Sequence, residues 1–142
     1  MKTTLLNDAD AKQSWYLLDA ADKPAGRLAV KVTTLLRGKD SPSYTPAADP
    51  MRFVVVINAR KVKLTGGKEE TKRYRKYTGF PDGLKFTKAG AVRASNPGLI
   101  LRSAVKGMLP KNHMSRRLYS RLKVYNDDAH PHAAQKPQAV DL

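Results

Sequence analysis

Apolar positions along the chain fall into short blocks, and the period within each block predicts a different element. Trp15, Tyr16, Leu17 and Leu18 form a compact apolar run led by aromatics and stopped by Asp19, the pattern of a buried strand. The period then lengthens. Leu28, Val32, Leu35 and Leu36 recur at i, i+4, i+7 and i+8, which makes one face of a helix opening at Gly26 and closing at Gly38. Arg27 and Lys31 lie off that face, while Arg37 and Lys39 sit at the carboxyl end, where cations suit the helix dipole. Residues 53–57 are uninterrupted and mostly β-branched, as in a strand covered on both faces. Together these blocks predict a βαβ unit.

Between that helix and the second strand, Pro42, Pro46 and Pro50 recur every fourth residue and forbid a regular ladder, so residues 39–52 read as a stiff, extended connection. A structureless loop of this length belongs to a function or docks on something. Residues 61–64 alternate basic with apolar side chains, Gly66 and Gly67 mark a turn, a strand fits about residues 72–77, and Pro81, Asp82 and Gly83 mark a second turn. Asn96 and Pro97 predict a helix start, cap followed by proline, with Leu101, Val105, Met108 and Leu109 as its apolar face up to Pro110. Met114, Leu118 and Leu122 mark a last short helix with Arg116, Arg117 and Arg121 off its face, and residues 122–125 fit a closing strand. From residue 126 the chain is polar, broken by Pro131 and Pro137. The expectation is one domain over residues 1–142, with a folded core at 14–125, a proline-spaced loop at 39–52 and an extended tail at 126–142. Neither loop nor tail carries a self-sufficient apolar face, so both are expected to draw their order from a partner surface.

Charge changes this picture from a generic α/β domain to a binding protein. The 142 residues hold 27 Lys and Arg against 12 Asp and Glu, a formal net charge of +15. Residues 52–123 alone carry 19 basic residues with Glu69, Glu70 and Asp82 as their acids, a net of +16. Residues 83–126 contain ten basic residues and no acid. Such self-repulsion is relieved when a polyanion supplies the countercharge. There is no cysteine, which removes disulfides, thiolate zinc sites and thiol nucleophiles and favours an intracellular setting. The start, Met1 to Leu6 with Asn7, Asp8 and Asp10 following, lacks the form of a secretory leader, and no run is long enough to span a bilayer.

Candidate chemistry is sparse outside the cations. Lys68, Lys72, Arg73, Tyr74, Arg75, Lys76 and Tyr77 interleave two aromatics with five cations, which suits phosphate pairing with stacking or 2′-hydroxyl contact; the alternative is a solvated strand face with its tyrosines in the core. Arg116, Arg117, Arg121 and Lys123 form a second cluster. The glycines of Leu64-Thr65-Gly66-Gly67-Lys68 lack the Walker spacing, and Gly26 alone is no dinucleotide fingerprint. His130 and His132 after Asp127 and Asp128 lack the rest of a zinc ligand set and read better as hydrogen-bonding groups for RNA. His113 near Ser115 has no orienting acid close in sequence.

Several strings carry a family likeness: Trp15-Tyr16 with Asp19-Ala20, Gly26-Arg27-Leu28-Ala29, Leu36-Arg37-Gly38-Lys39, Tyr44-Thr45-Pro46 and Ile57-Asn58-Ala59. Further along come Lys63-Leu64-Thr65-Gly66, Tyr77-Thr78-Gly79, Ala104-Val105-Lys106-Gly107-Met108-Leu109-Pro110-Lys111, Leu122-Lys123-Val124-Tyr125, and His130-Pro131-His132 before Ala134-Gln135. In this order the sequence resembles the large-subunit ribosomal protein L-thirteen family, bacterial or organellar type, over nearly its whole length. The resemblance implies a three-layer α/β/α domain with a four-stranded parallel sheet, binding of large-subunit ribosomal RNA and a part in subunit assembly. Three places depart from the family pattern: Ala47, Ala48, Asp49, Pro50, Met51 and Arg52 after the tyrosine-proline block, Asp82-Gly83 in place of a double glycine, and Met114-Ser115-Arg116 after Lys111.

Three function classes compete for a chain of this kind: a ribosomal RNA binder, a nucleotide-dependent enzyme and a DNA-compacting protein. The enzyme lacks a phosphate motif and an acid–base pair, and DNA compaction explains the charge without the family blocks. The expected partners are large-subunit ribosomal RNA and neighbouring large-subunit ribosomal proteins, with no membrane, small-molecule substrate, cofactor, metal or catalytic residue, on a cytoplasmic or organellar ribosome. The residues expected to meet RNA are Arg27, Arg37, Lys39, Tyr44, Lys68, Lys72, Arg73, Arg75, Lys76, Tyr77, Thr78, Lys106, Lys111, Arg116, Arg117, Arg121, Lys123, His130 and His132.

Overall fold

The computed structural model describes residues 11–142. The reading of the chain's start falls on residues outside that range. Four parallel strands form the main sheet in the order β5 (Leu122–Val124), β2 (Arg52–Ile57), β1 (Ser14–Asp19) and β6 (Gln138–Ala139). Strands β1 (Ser14–Asp19) and β2 (Arg52–Ile57) pair residue for residue from Ser14 opposite Arg52 to Asp19 opposite Ile57, with helix α1 (Ala25–Arg37) as the connection. This is the βαβ unit expected from the apolar periods. Val54, Val55 and Val56 are fully buried although they alternate between faces, because a central parallel strand is covered on both sides.

One face of the sheet builds the main core. Leu18, Val54, Val56, Leu122 and Val124 meet Leu28, Val32 and Leu36 of α1 and Ile100, Leu101 and Val105 of helix α4 (Gly98–Met108). Each fully buried aliphatic side chain there contributes about 1.5–3 kcal/mol. On the opposite face, Trp15 stacks on its register partner Phe53 at 4.4 Å between ring centroids. Gly38 ends α1 at φ +71°, and a Cβ there would lie 2.9 Å from Pro50, so the following loop closes tightly over the helix end.

Both segments that the sequence leaves without an apolar face are tied to the domain. In residues 39–52 the Asp49 carboxylate is buried and takes both ends of the Arg121 guanidinium, with Nη2 at 2.6 Å. Arg52 pairs with Asp40, and Arg37 donates to the Tyr44 hydroxyl at 2.9 Å. In the tail, β6 (Gln138–Ala139) pairs in parallel with Tyr16 and Leu17 of β1, so the tail itself supplies the fourth strand. His132 packs on Trp15 at 5.0 Å and hydrogen-bonds Tyr125 at 2.9 Å. The expected dependence of both segments on a partner is therefore revised. Carboxylates and ring stacking distant in sequence provide what local apolar surface does not.

The second half departs from the sequence reading in detail. The strand at residues 72–77 is β3 (Arg73–Tyr77), paired antiparallel with β4 (Leu84–Lys88), which was not foreseen, and followed by an unforeseen helix α3 (Ala89–Ser95). Helix α4 begins at Gly98 with Pro97 at its cap position, and Asn96 makes no capping side-chain bond. In helix α5 (His113–Ser120) the cap is Asn112, whose side chain accepts from the Ser115 N–H at 3.0 Å. The closing strand expected at residues 122–125 is present as β5 (Leu122–Val124), and Leu122 belongs to it rather than to the helix face that its spacing also predicts.

Candidate nucleic-acid interface

The densest cation cluster stands on a two-stranded hairpin apart from the main sheet. Its turn is closed by Thr78 N–H donating to the Gly83 carbonyl at 3.1 Å and Gly83 N–H to the Phe80 carbonyl at 2.9 Å. Gly83 is fixed by space, since a Cβ would fall 2.8 Å from the Phe80 carbonyl oxygen of the backbone. The preceding Asp82 takes φ +56°, a left-handed conformation that Asp tolerates better than most residues. That accommodates one departure from the family pattern.

The base of the hairpin is braced from the domain. Helix α2 (Lys68–Thr71) presents Glu69, which accepts from Arg93 of α3 at 2.6 and 3.1 Å, and Arg93 also donates to the Arg60 carbonyl at 2.8 Å. The Arg93 hydrogen bonds hold the Glu69 carboxyl below the usual range. Tyr74 is the one half-buried strand residue of the hairpin, and the rest are exposed. Its ring packs against the core, Lys72 Nζ lies 5.3 Å above it, and burial pushes its phenol up.

Register then sets the electrostatics. Arg73 faces Lys88 and Lys76 faces Lys85, so two like-charged pairs lie directly opposite each other across the ladder. Such pairs destabilise a free sheet, and a two-stranded sheet is marginal to begin with. Arg75 faces Phe86, and Tyr77 faces Leu84. Phosphates laid across this surface would neutralise the cations and release bound counterions.

A second basic surface lies where α4 meets α5. Lys106, Lys111 and Arg116 line an open groove of about 610 Å³ together with His113, Ser115 and Tyr119, with no acid among the lining residues. Arg117 is exposed beside it on α5. At the start of α1, Arg27 shares a cleft of about 310 Å³ with Lys63 and Lys68.

The remaining sequence candidates are placed differently. Arg121 is engaged with Asp49 and stacks over Phe53 at 5.5 Å, so its charge is already answered within the protein. Burial disfavours the Asp49 carboxylate, but the hydrogen bonds from Arg121 and the Met51 N–H outweigh it and lower its pKa. Arg37 and Tyr44 bond each other, Lys39 is exposed nearby, and Lys123 is half-buried in β5. His132 is held by Trp15 and Tyr125, and the His130 Nδ1 accepts from the His132 N–H at 3.2 Å. Thus Lys68, Lys72, Arg73, Arg75, Lys76, Tyr77 and Thr78 come together, as do Lys106, Lys111, Arg116 and Arg117, while the others lie in the cleft, the proline-spaced loop region, the end of α5, β5 or the tail. Sequence reasoning missed Lys63, Phe80, Lys85, Phe86 and Lys88. The signal for β4 was present: Leu84-Lys85-Phe86-Thr87-Lys88 alternates apolar with polar directly after an Asp-Gly turn.

The fold and these surfaces define a basic α/β domain whose cations gather on an exposed hairpin and a helix-end groove. Residues 13–131 match the family model for Ribosomal protein L13. The chain is 49% identical over 138 residues to the large ribosomal subunit protein uL13 of Chloroflexus aurantiacus, covering 97% of this chain and 96% of that one. It is 46% identical to the proteins of the same name from Pseudoalteromonas atlantica and Geobacter sulfurreducens, over the full length of both chains in each comparison. The chain belongs to the ribosomal protein L13 family.

Proposed function

We propose that the chain is a structural constituent of the large ribosomal subunit that binds large-subunit ribosomal RNA and supports subunit assembly. The observation that carries this reading is the pair of like-charged cross-strand contacts, Arg73 with Lys88 and Lys76 with Lys85, on a hairpin exposed on both strands. A free protein is destabilised by that arrangement, whereas a ribonucleoprotein is stabilised by it. The hairpin and the groove at Lys106, Lys111 and Arg116 form the RNA surface, with the cleft at Arg27 beside the hairpin base.

Family membership favours RNA over DNA as the polyanion and a structural over a catalytic role. The relatives are named as large-subunit proteins of bacteria, which supports a place on the ribosome in the cytoplasm. Among the described residues no helix is long and apolar enough to cross a membrane. Val30, Leu99 and Met108 are exposed to 55, 41 and 40% and are available to neighbouring large-subunit proteins. The test is a competition between protein-free large-subunit ribosomal RNA and duplex DNA at matched salt. Preference for the ribosomal RNA, with a steep loss of affinity as salt rises, is the expected result. Equal affinity for both polyanions would return the chain to a general nucleic-acid compactor.

A further inference from the structure

We propose that the outer face of the β3–β4 hairpin is a stacking site for unpaired RNA bases, formed by Tyr77, Phe80 and Phe86. The inference rests on the RNA-binding reading and names the class of RNA that the hairpin takes. Side chains alternate across a strand, and Tyr74 points to the domain, so Arg73, Arg75 and Tyr77 face away from it, as do their partners Lys88, Phe86 and Leu84. Tyr77 is 65% exposed, Phe86 58% and Phe80, in the turn beyond, 73%. Two of the three phenylalanines in the chain therefore stand in solvent on one hairpin, against the usual burial of this residue.

Register makes Tyr77 and Phe86 diagonal neighbours, about 7–8 Å apart. That leaves room for bases to lie on successive rings. A protein partner would want this apolar surface free of charge at its centre. Instead, Arg75 sits directly opposite Phe86, and Arg73 and Lys88 lie beside it on the same face. Aromatic faces among cations suit a strand whose bases are splayed from their own stack, because phosphates meet the cations while bases meet the rings. A continuous duplex offers no free base face.

The test uses the full chain, a single-stranded oligoribonucleotide carrying 2-aminopurine, and the same strand in a fully paired duplex. The triple variant Tyr77→Leu, Phe80→Leu, Phe86→Leu keeps apolar area but removes the rings. Wild type should quench 2-aminopurine in the single strand. The variant should lose that quenching and bind the single strand at least about tenfold more weakly, at about fivefold or more per stacked base, with duplex affinity changed less than about twofold. Should the triple variant melt several degrees lower, Phe80→Leu alone, in the exposed turn, is read the same way. Unchanged single-strand affinity and quenching in the variant would overturn the stacking site and leave the polyanion reading standing. Leucine variants that bind RNA normally, alongside alanine variants that no longer join large subunits, would assign the face to a protein neighbour and overturn it too. Failure of the wild type to bind either RNA would remove the reading on which the inference rests.

Discussion

Strands β2 and β3 have nearly the same length and begin alike, Arg-Phe in one and Arg-Tyr in the other, but they live in opposite environments. In β2 the next three residues are valines buried completely, and both flanking strands run parallel to it in a ladder that the core reinforces. In β3 the corresponding stretch is Arg75, Lys76 and Tyr77, all exposed, with one antiparallel partner that repeats the positive charge. Strand β2 therefore carries its stabilisation in its own sequence. Strand β3 carries instead a surplus of positive charge, and Tyr74 and the Glu69–Arg93 brace anchor it to the domain without answering that charge. On the proposed function the two regions separate stability from binding in space, and substitutions should separate them in measurement.

The largest effect expected is on binding. Replacing Arg73, Arg75, Lys76, Lys85 and Lys88 together by Gln should weaken ribosomal RNA binding on the order of a thousandfold at physiological salt and lower the log–log salt slope by about 3 to 5. The melting temperature should stay level or rise, since two like-charge pairs disappear. A variant that melts early while keeping its affinity would reverse the roles of the two regions.

The converse substitution lies at the buried end. Arg121→Ala strands the Asp49 carboxylate under the loop and should cost about 3 kcal/mol in chemical denaturation. RNA affinity should change by less than about threefold, because that guanidinium is already paired. Acid provides a smaller, graded form of the same test. Asp49 and Glu69 are held below the ordinary carboxylate range in the folded state, so their contribution is present above that range and lost as pH falls through the lowered values. Stability should be flat from about pH 7 to 5 and decline below about pH 4, with a shallower decline in Asp49→Asn when followed by thermal melts.

The smallest effect has opposite signs in the two measurements. Lys76→Glu creates an ion pair across from Lys85 and should raise stability by about 0.2–1 kcal/mol while weakening RNA binding. A gain in both would show that the like-charge pair serves no ligand.

How far this contrast was legible from the sequence depends on the range of the forces involved. The βαβ unit could be read because Leu28, Val32, Leu35 and Leu36 record their burial in their spacing, and the β2 valines record theirs in an unbroken run. The cation cluster at Arg73, Arg75 and Lys76 could be read because charge density is local. Contacts between distant residues could not. Nothing near Arg121 announces Asp49, 72 positions away, and a tail as polar as residues 126–142 does not advertise Gln138 and Ala139 as an edge strand. The opposition of Arg73 to Lys88 required knowledge of the hairpin register, which depends on recognising β4 in its short alternation.

The most direct measurement is ultraviolet crosslinking of the full chain to protein-free large-subunit ribosomal RNA, with the attached residues located by mass spectrometry. The crosslinks should concentrate in residues 73–88, with a second group in residues 106–117, and should disappear from the first group in the five-Gln variant. Crosslinks confined to Arg121, Lys123 and the tail, with none on the hairpin, would contradict the assignment of RNA binding to the exposed strands.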